Sequence, residues 1–428
     1  MNSSFERIST EELKINLDKS NKHIIDARPV YAYNGWKLSD EHRGGHIKGA
    51  RCLPVKWAKY MDWIEIVQSK GIIPEQEVII YARNGEDAET VAETFKRNDY
   101  KSIKIYDHFA DEWTTNESLP MDYLERYKML VYPDWVKELI DGGNPPEYDN
   151  DKYVICHTHY RNHDDYLKGH VPGAVALDTL ELESPETWNR RTPEEIKKAL
   201  EEKGITNDTT VILYGRFGFP KNEDPFPGSS AGQIAAMRCA FIMLYAGVKD
   251  VRIINGAVQG WLDAGYELET KENKPTPVSD FGIEIPGRPE LAVDVPQAKE
   301  MLASDKAELV SVRSWPEFLG EVSGYNYIEK TGRIPGAIFG NCGSDAYHME
   351  NYRNLDFTTR EYDEVVANWK EAGITPDKHL AFYCGTGWRG SEAFMNAYLL
   401  GWPKVSVFDG GWFEWSNDPN NPVEKGQP

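Results

Sequence analysis

The sequence predicts an α/β protein of three tandem domains, each with a mostly parallel central sheet flanked by helices. Three observations predict it. A short pattern recurs at domain-sized spacing: Gly45-His46-Ile47-Lys48-Gly49-Ala50, Gly169-His170-Val171-Pro172-Gly173-Ala174 and Gly332-Arg333-Ile334-Pro335-Gly336-Ala337. Apolar runs of strand length flank every copy. Helical patterns separate those runs, and strands that alternate with helices pair in parallel through crossover connections.

The elements follow in order. Strands over 23–28, 153–157 and 308–313 precede the three signatures, and strands over 78–81, 211–214 and 380–383 come after them. A helix and a further strand complete each copy, with the strands over 103–106, 251–254 and 405–408. Each copy closes on a turn and a tryptophan: Trp113, Trp261 and Trp415. The expected domains span 1–124, 125–278 and 279–428. The polar, proline-punctuated stretch 271–277 marks the second boundary. The second copy also carries a long Pro/Gly-rich insertion over 217–230, a length that marks a functional or disordered loop.

Composition narrows the function. The chain has 428 residues, 40% hydrophobic and 12% aromatic, with a net charge of −21. An acidic surface disfavours nucleic acid and anionic membranes. No apolar run is long enough to span a bilayer. The first residues lack a basic-then-apolar leader, so a cytoplasmic location is expected if Met1 is the native start, and an exported one if a leader has been removed. Five cysteines, Cys52, Cys156, Cys239, Cys342 and Cys384, stand without C-x-x-C pairs. That argues against a disulfide framework and a structural zinc site. Three internal copies can replace the contacts smaller proteins make by dimerising, so a monomer is expected.

One cysteine carries the chemistry. Cys384 ends the strand over 380–383 and opens the loop Cys384-Gly385-Thr386-Gly387-Trp388-Arg389, before a helix expected over 391–400. A strand-end loop before a helix aims backbone N–H groups and the positive helix end at the sulfur. A thiolate, the reactive form of cysteine, is stabilised there. Arg389 offers a charge and a planar donor fork for an oxyanion. In the other copies Ala82 and Gly215 stand at this position, so one reactive centre and two silent copies are expected.

The three G-H-I-x-G-A-like signatures, the cysteine loop and the Gly410-Gly411-Trp412 turn resemble the rhodanese family over almost the whole chain. The sequence is most similar to bacterial sulfurtransferases with three rhodanese domains and one active C-terminal loop. The resemblance implies that sulfane sulfur moves from a donor such as thiosulfate or 3-mercaptopyruvate, through a Cys384 persulfide, to cyanide or a thiol. It implies small-molecule partners, with a protein donor or acceptor as a further option, and no cofactor. Gly385, Thr386, Gly387, Trp388 and Arg389 would form the substrate cradle. Two features depart from the family pattern. The acidic residue of the family's D-x-R element is Asp26 in the first copy and Ser311 in the third, and Trp388 is unusually bulky.

Alternatives remain at this stage. A non-catalytic sulfur carrier has the same loop. Cysteine phosphatases and arsenate reductases use a loop one residue longer to surround a tetrahedral anion, whereas four residues separate Cys384 from Arg389. Arg313 is expected either to brace the loop through Glu317 or to reach the donor. Cys342 is expected to be an unreactive loop thiol, with a resolving thiol as the alternative. Cys156, His157, His159 and His163 cluster in sequence as metal ligands would. A simpler origin is that Cys156 takes the place of Asp26 at a strand end.

Overall fold

The computed structural model describes residues 5–17, 19–216 and 232–428. The insertion over 217–230 lies outside the described residues. The chain forms two compact units, one running to Lys128 and the other beginning at Met129. The first unit holds one five-stranded sheet and the second holds two.

All three sheets share one plan. In the third repeat the spatial order is Ala292–Val293, Val405–Phe408, His379–Tyr383, Ala307–Ser311 and Ile338–Phe339, every neighbour parallel. The same order runs through Glu6–Arg7, Ser102–Ile105, Glu77–Tyr81, Lys22–Asp26 and Arg51–Cys52 in the first. The second repeats it with Leu130–Val131, Asp250–Ile254, Thr210–Gly215, Tyr153–His159 and Val175–Asp178. Helices cover both faces, so the central strands are near-continuous apolar runs. The closing tryptophans Trp113, Trp261 and Trp415 are buried plugs.

The recurring signature has a structural job. His46 Nδ1 lies 2.8 Å from the Tyr33 carbonyl and His170 Nδ1 lies 2.9 Å from that of Tyr166, each imidazole stacked on that tyrosine's ring. In the third repeat Arg333 instead donates to the Gly426 carbonyl and packs over Phe318.

Register corrects one alignment. Asp26 pairs with Tyr81 and Ser311 with Tyr383, whereas Tyr214 pairs with His157. His157, not Cys156, therefore occupies the Asp26 position. Adjacent strand residues face opposite sides of a sheet, which separates Cys156 from His157 and dissolves the sequence cluster as a ligand set. Among the described residues, the trio whose metal-type ligand atoms lie within 4.8 Å of one another is His108, Asp111 and Glu112, all exposed in the first unit.

One helix joins the second and third repeats. Gly232–Ala246 is buried on every side, in keeping with an apolar sequence around its whole circumference. It packs on its own sheet and on the helix that follows Cys384, with Phe241 edge-on to Phe394 at 5.5 Å. No described helix is long and apolar enough to cross a membrane.

Candidate active site

The strand His379–Tyr383 ends one residue before Cys384, and the following helix runs from Trp388 to Leu399. The helix begins three residues earlier than the sequence pattern suggests, so Trp388 and Arg389 are its first residues. Gly387 caps it at φ +91°, a conformation glycine adopts freely. Gly411 approaches the loop closely: a Cβ there would lie 2.7 Å from the Cys384 carbonyl oxygen. That carbonyl accepts from Trp412 N–H and the Gly385 carbonyl from Phe413 N–H, which ties the loop to the Gly410-Gly411-Trp412 turn. Among the described residues, the backbone N–H groups from Gly385 to Gly390 donate to no protein acceptor. They converge as a cradle at the positive helix end.

Cys384 is fully buried at the loop's base. Above the loop opens a small cleft lined by two repeats. The third repeat supplies Thr386, Trp388, Arg389, Tyr325, Tyr327, Ala346 and Tyr347, and the second supplies Tyr160, Trp188 and Ile234. Trp188 packs at a tilt on Tyr327, ring centroids 5.2 Å apart, and Tyr160 lies perpendicular to Trp388 at 5.5 Å. Trp188 holds φ +60°, a strained backbone for a bulky residue, of the kind that clusters at ligand sites.

Arg389 departs from expectation. Its fork is bidentate to Glu317, with Nη1 to Oε2 at 2.9 Å and Nη2 to Oε1 at 2.8 Å, and both side chains are buried. Nη2 also donates to the Tyr325 hydroxyl at 2.6 Å and Nη1 to Cys342 Sγ at 3.1 Å. No open fork waits for an oxyanion. Burial pushes the Glu317 carboxyl up, but Arg389 outweighs it and holds it below the usual carboxylate range. Burial keeps the Tyr325 phenol protonated well past its ordinary range.

Arg313 also departs. It is fully buried, donates to the Gly332 carbonyl at 2.6 Å and to Ser311 Oγ at 3.3 Å, and stacks over Trp412. It neither pairs with Glu317 nor belongs to the cleft wall. With Ser311 in place of an aspartate, it lacks the ion pair that Arg28 makes with Asp26 at 2.6 Å in the first repeat. Burial pushes the Cys342 thiol up to about 12, against the opposing pull of Arg389.

The cleft tyrosines and tryptophans from outside the loop went unread in the sequence. Their one local signal is the segment Gly324-Tyr325-Asn326-Tyr327, inserted before the third signature.

A rhodanese-like domain model matches residues 9–116, 132–264 and 294–418. The chain belongs to the rhodanese family. This rhodanese chain is 39% identical to the thiosulfate sulfurtransferase YnjE of Escherichia coli (strain K12), over 96% of its own length and 91% of the relative's. It is 31% identical to the sulfur carrier protein TtuD of Thermus thermophilus, over 70% of its length and 98% of that protein's. Among solved structures, a variant of EanB in complex with hercynine superposes with a TM-score of 0.98 at 58% identity, covering 100% of this chain and 99% of that one. An EanB variant with a cysteine persulfide, in a tetrahedral intermediate state with ergothioneine, superposes at 0.97 with 59% identity, covering 99% and 100%.

Proposed function

We propose that this chain passes a sulfane sulfur through a Cys384 persulfide to the imidazole ring of hercynine, forming ergothioneine. The cleft carries the reading. Its walls are aromatic, and Arg389, its one charged wall residue among those described, is already neutralised by Glu317. Aromatic faces attract a quaternary ammonium, such as the trimethylammonium of this histidine betaine. The whole-chain likeness to EanB, seen with hercynine and with ergothioneine, supports the same acceptor.

The chemistry balances without a metal or external oxidant. The Cys384 thiolate attacks the donor's sulfane sulfur; a new S–S bond forms and the donor's breaks. The leaving group departs with the electron pair, as sulfite when the donor is thiosulfate. The terminal persulfide sulfur then bonds to C2 of the imidazolium, making that carbon tetrahedral. Loss of the C2 proton makes the carbon–sulfur bond double, and the S–S electron pair returns to Cys384 as thiolate.

The residues divide the work. Because Cys384 is buried, the added sulfur, about 2.05 Å beyond Sγ, is what reaches towards the cleft. The loop N–H groups of Gly385, Thr386 and Gly387 stabilise the persulfide anion. The Tyr325 hydroxyl accepts from Arg389, which leaves its own proton to donate to the acceptor. Thr386 and Trp388 shape the wall.

The test is stepwise. Wild-type protein incubated with thiosulfate or polysulfide should gain one sulfur atom at Cys384 by mass spectrometry, and added hercynine should remove it as ergothioneine. Cys384→Ser should do neither, because its hydroxyl cannot form a persulfide. A loaded protein that discharges to cyanide and never to hercynine would overturn the acceptor. Thiosulfate is the donor favoured by the relationship to YnjE.

A further inference from the structure

The loop that carries Cys384 is gripped from the second repeat. Arg238, on the buried helix Gly232–Ala246, is itself fully buried. Its Nε donates to Glu183 at 2.9 Å, its Nη1 pairs with Asp409 at 2.6 Å, and its Nη2 donates to the Trp188 carbonyl at 3.1 Å. Glu183 and Asp409 are fully buried as well. Glu183 accepts the Trp388 indole N–H on both carboxylate oxygens, at 2.8 and 3.0 Å. A Cβ on Gly387 would lie 3.0 Å from Arg238 Nη1 and 3.2 Å from Asp409 Oδ1, so the guanidinium packs directly beneath the loop. Arg190 completes the group, its Nη1 donating to Asp409 and to Asp294.

We infer that Glu183 and Arg238 are positioning residues for sulfur transfer, acting on the Cys384 loop through Trp388 and Gly387. The inference rests on Cys384 as the sulfur carrier. Two fully buried carboxylates flank one guanidinium, whose charge offsets the cost of burying them. Here they join the second repeat, through Glu183 and Arg238, to the third, through Asp409 and the loop. The indole of Trp388 is thereby held by two residues of the second repeat: its N–H by Glu183 and its ring by Tyr160. A silent repeat thus completes a site in its neighbour. The bulk of Trp388 has the same cause, since a small residue at that position would reach no carboxylate across the domain junction.

A mutant cycle on the full chain tests it. Protein loaded with sulfur from thiosulfate is followed as it discharges to cyanide and, separately, to hercynine. Glu183→Ala and Trp388→Phe should each slow discharge to cyanide about tenfold, the size expected for one charge-assisted hydrogen bond. The double variant should be no slower than either single one, because both remove the same link. Glu183→Gln, of equal size and still able to accept from the indole, should recover part of the rate. It takes the place of Glu183→Ala in the cycle if the alanine variant loses its cooperative melt. Unchanged discharge in both Glu183 variants, or losses that multiply in the double variant, would overturn the inference. Failure of the wild-type protein to discharge to hercynine would overturn the proposed acceptor alone, because cyanide discharge reads the loop without it.

Discussion

Arg389 and Glu317 meet as a buried bidentate pair at 2.8 and 2.9 Å, and this pair replaces the open cationic fork expected beside Cys384. The loop cation is structural charge, committed before any substrate arrives.

Glu317→Ala should therefore cost stability as well as activity. Removing one partner of a buried pair strands the other charge, at about 3–5 kcal/mol. The carboxyl is held below its unfolded value, so the pair's contribution is present above the unfolded pKa and fades as pH falls through the folded one. Chemical denaturation at pH 7 and at pH 3 should show a wild-type advantage over Glu317→Ala that shrinks in acid. An advantage constant across that range would contradict the assignment.

Arg389→Lys keeps the charge and loses the fork. Lysine cannot satisfy Glu317 at both oxygens and reach Tyr325 as well. Sulfur loading of Cys384 should slow about tenfold or more, with a lowered melting midpoint. Wild-type loading and melting together would mean the fork is dispensable.

Cys342 should be inert in the folded protein. Burial raises its thiol to about 12, so almost no thiolate exists at pH 8. Iodoacetamide labelling followed by peptide mapping should find Cys342 modified only after denaturation. Rapid native labelling would revive a resolving role.

Tyr160→Ala and Trp188→Ala should raise KM for hercynine about two- to thirtyfold each, the range of one cation–π contact. Loading of Cys384 should stay near wild type, since neither side chain belongs to the loop. Equal losses in loading would place these rings in support of the fold rather than the acceptor.

The repeat pattern and the reactive cysteine were legible because both are local. Strand runs, the Gly387 turn and the helix after it are written within short windows, and Cys384 stands in the one copy that retains it. The partner of Arg389 was not legible, although Glu317 was in view. Which of Arg313 and Arg389 reaches Glu317 depends on helix and strand directions that place Arg313 against Gly332 and Trp412 instead. Pairing register likewise decided that His157, not its neighbour Cys156, matches Asp26.

By itself the sequence determined the family plan: three parallel α/β repeats and a cysteine loop at one strand end. Periodicity and loop chemistry are properties of contiguous residues, so no folding of the whole chain is needed to read them. Tertiary structure alone decided the walls of the cleft over that loop. Tyr160, Glu183, Trp188 and Arg238 are far from Cys384 in sequence and come to its loop only because the helix Gly232–Ala246 buries both faces between two repeats. Burial of that helix brings two domains into contact, and the contact converts a bare sulfur loop into an aromatic cleft with its cation already spent.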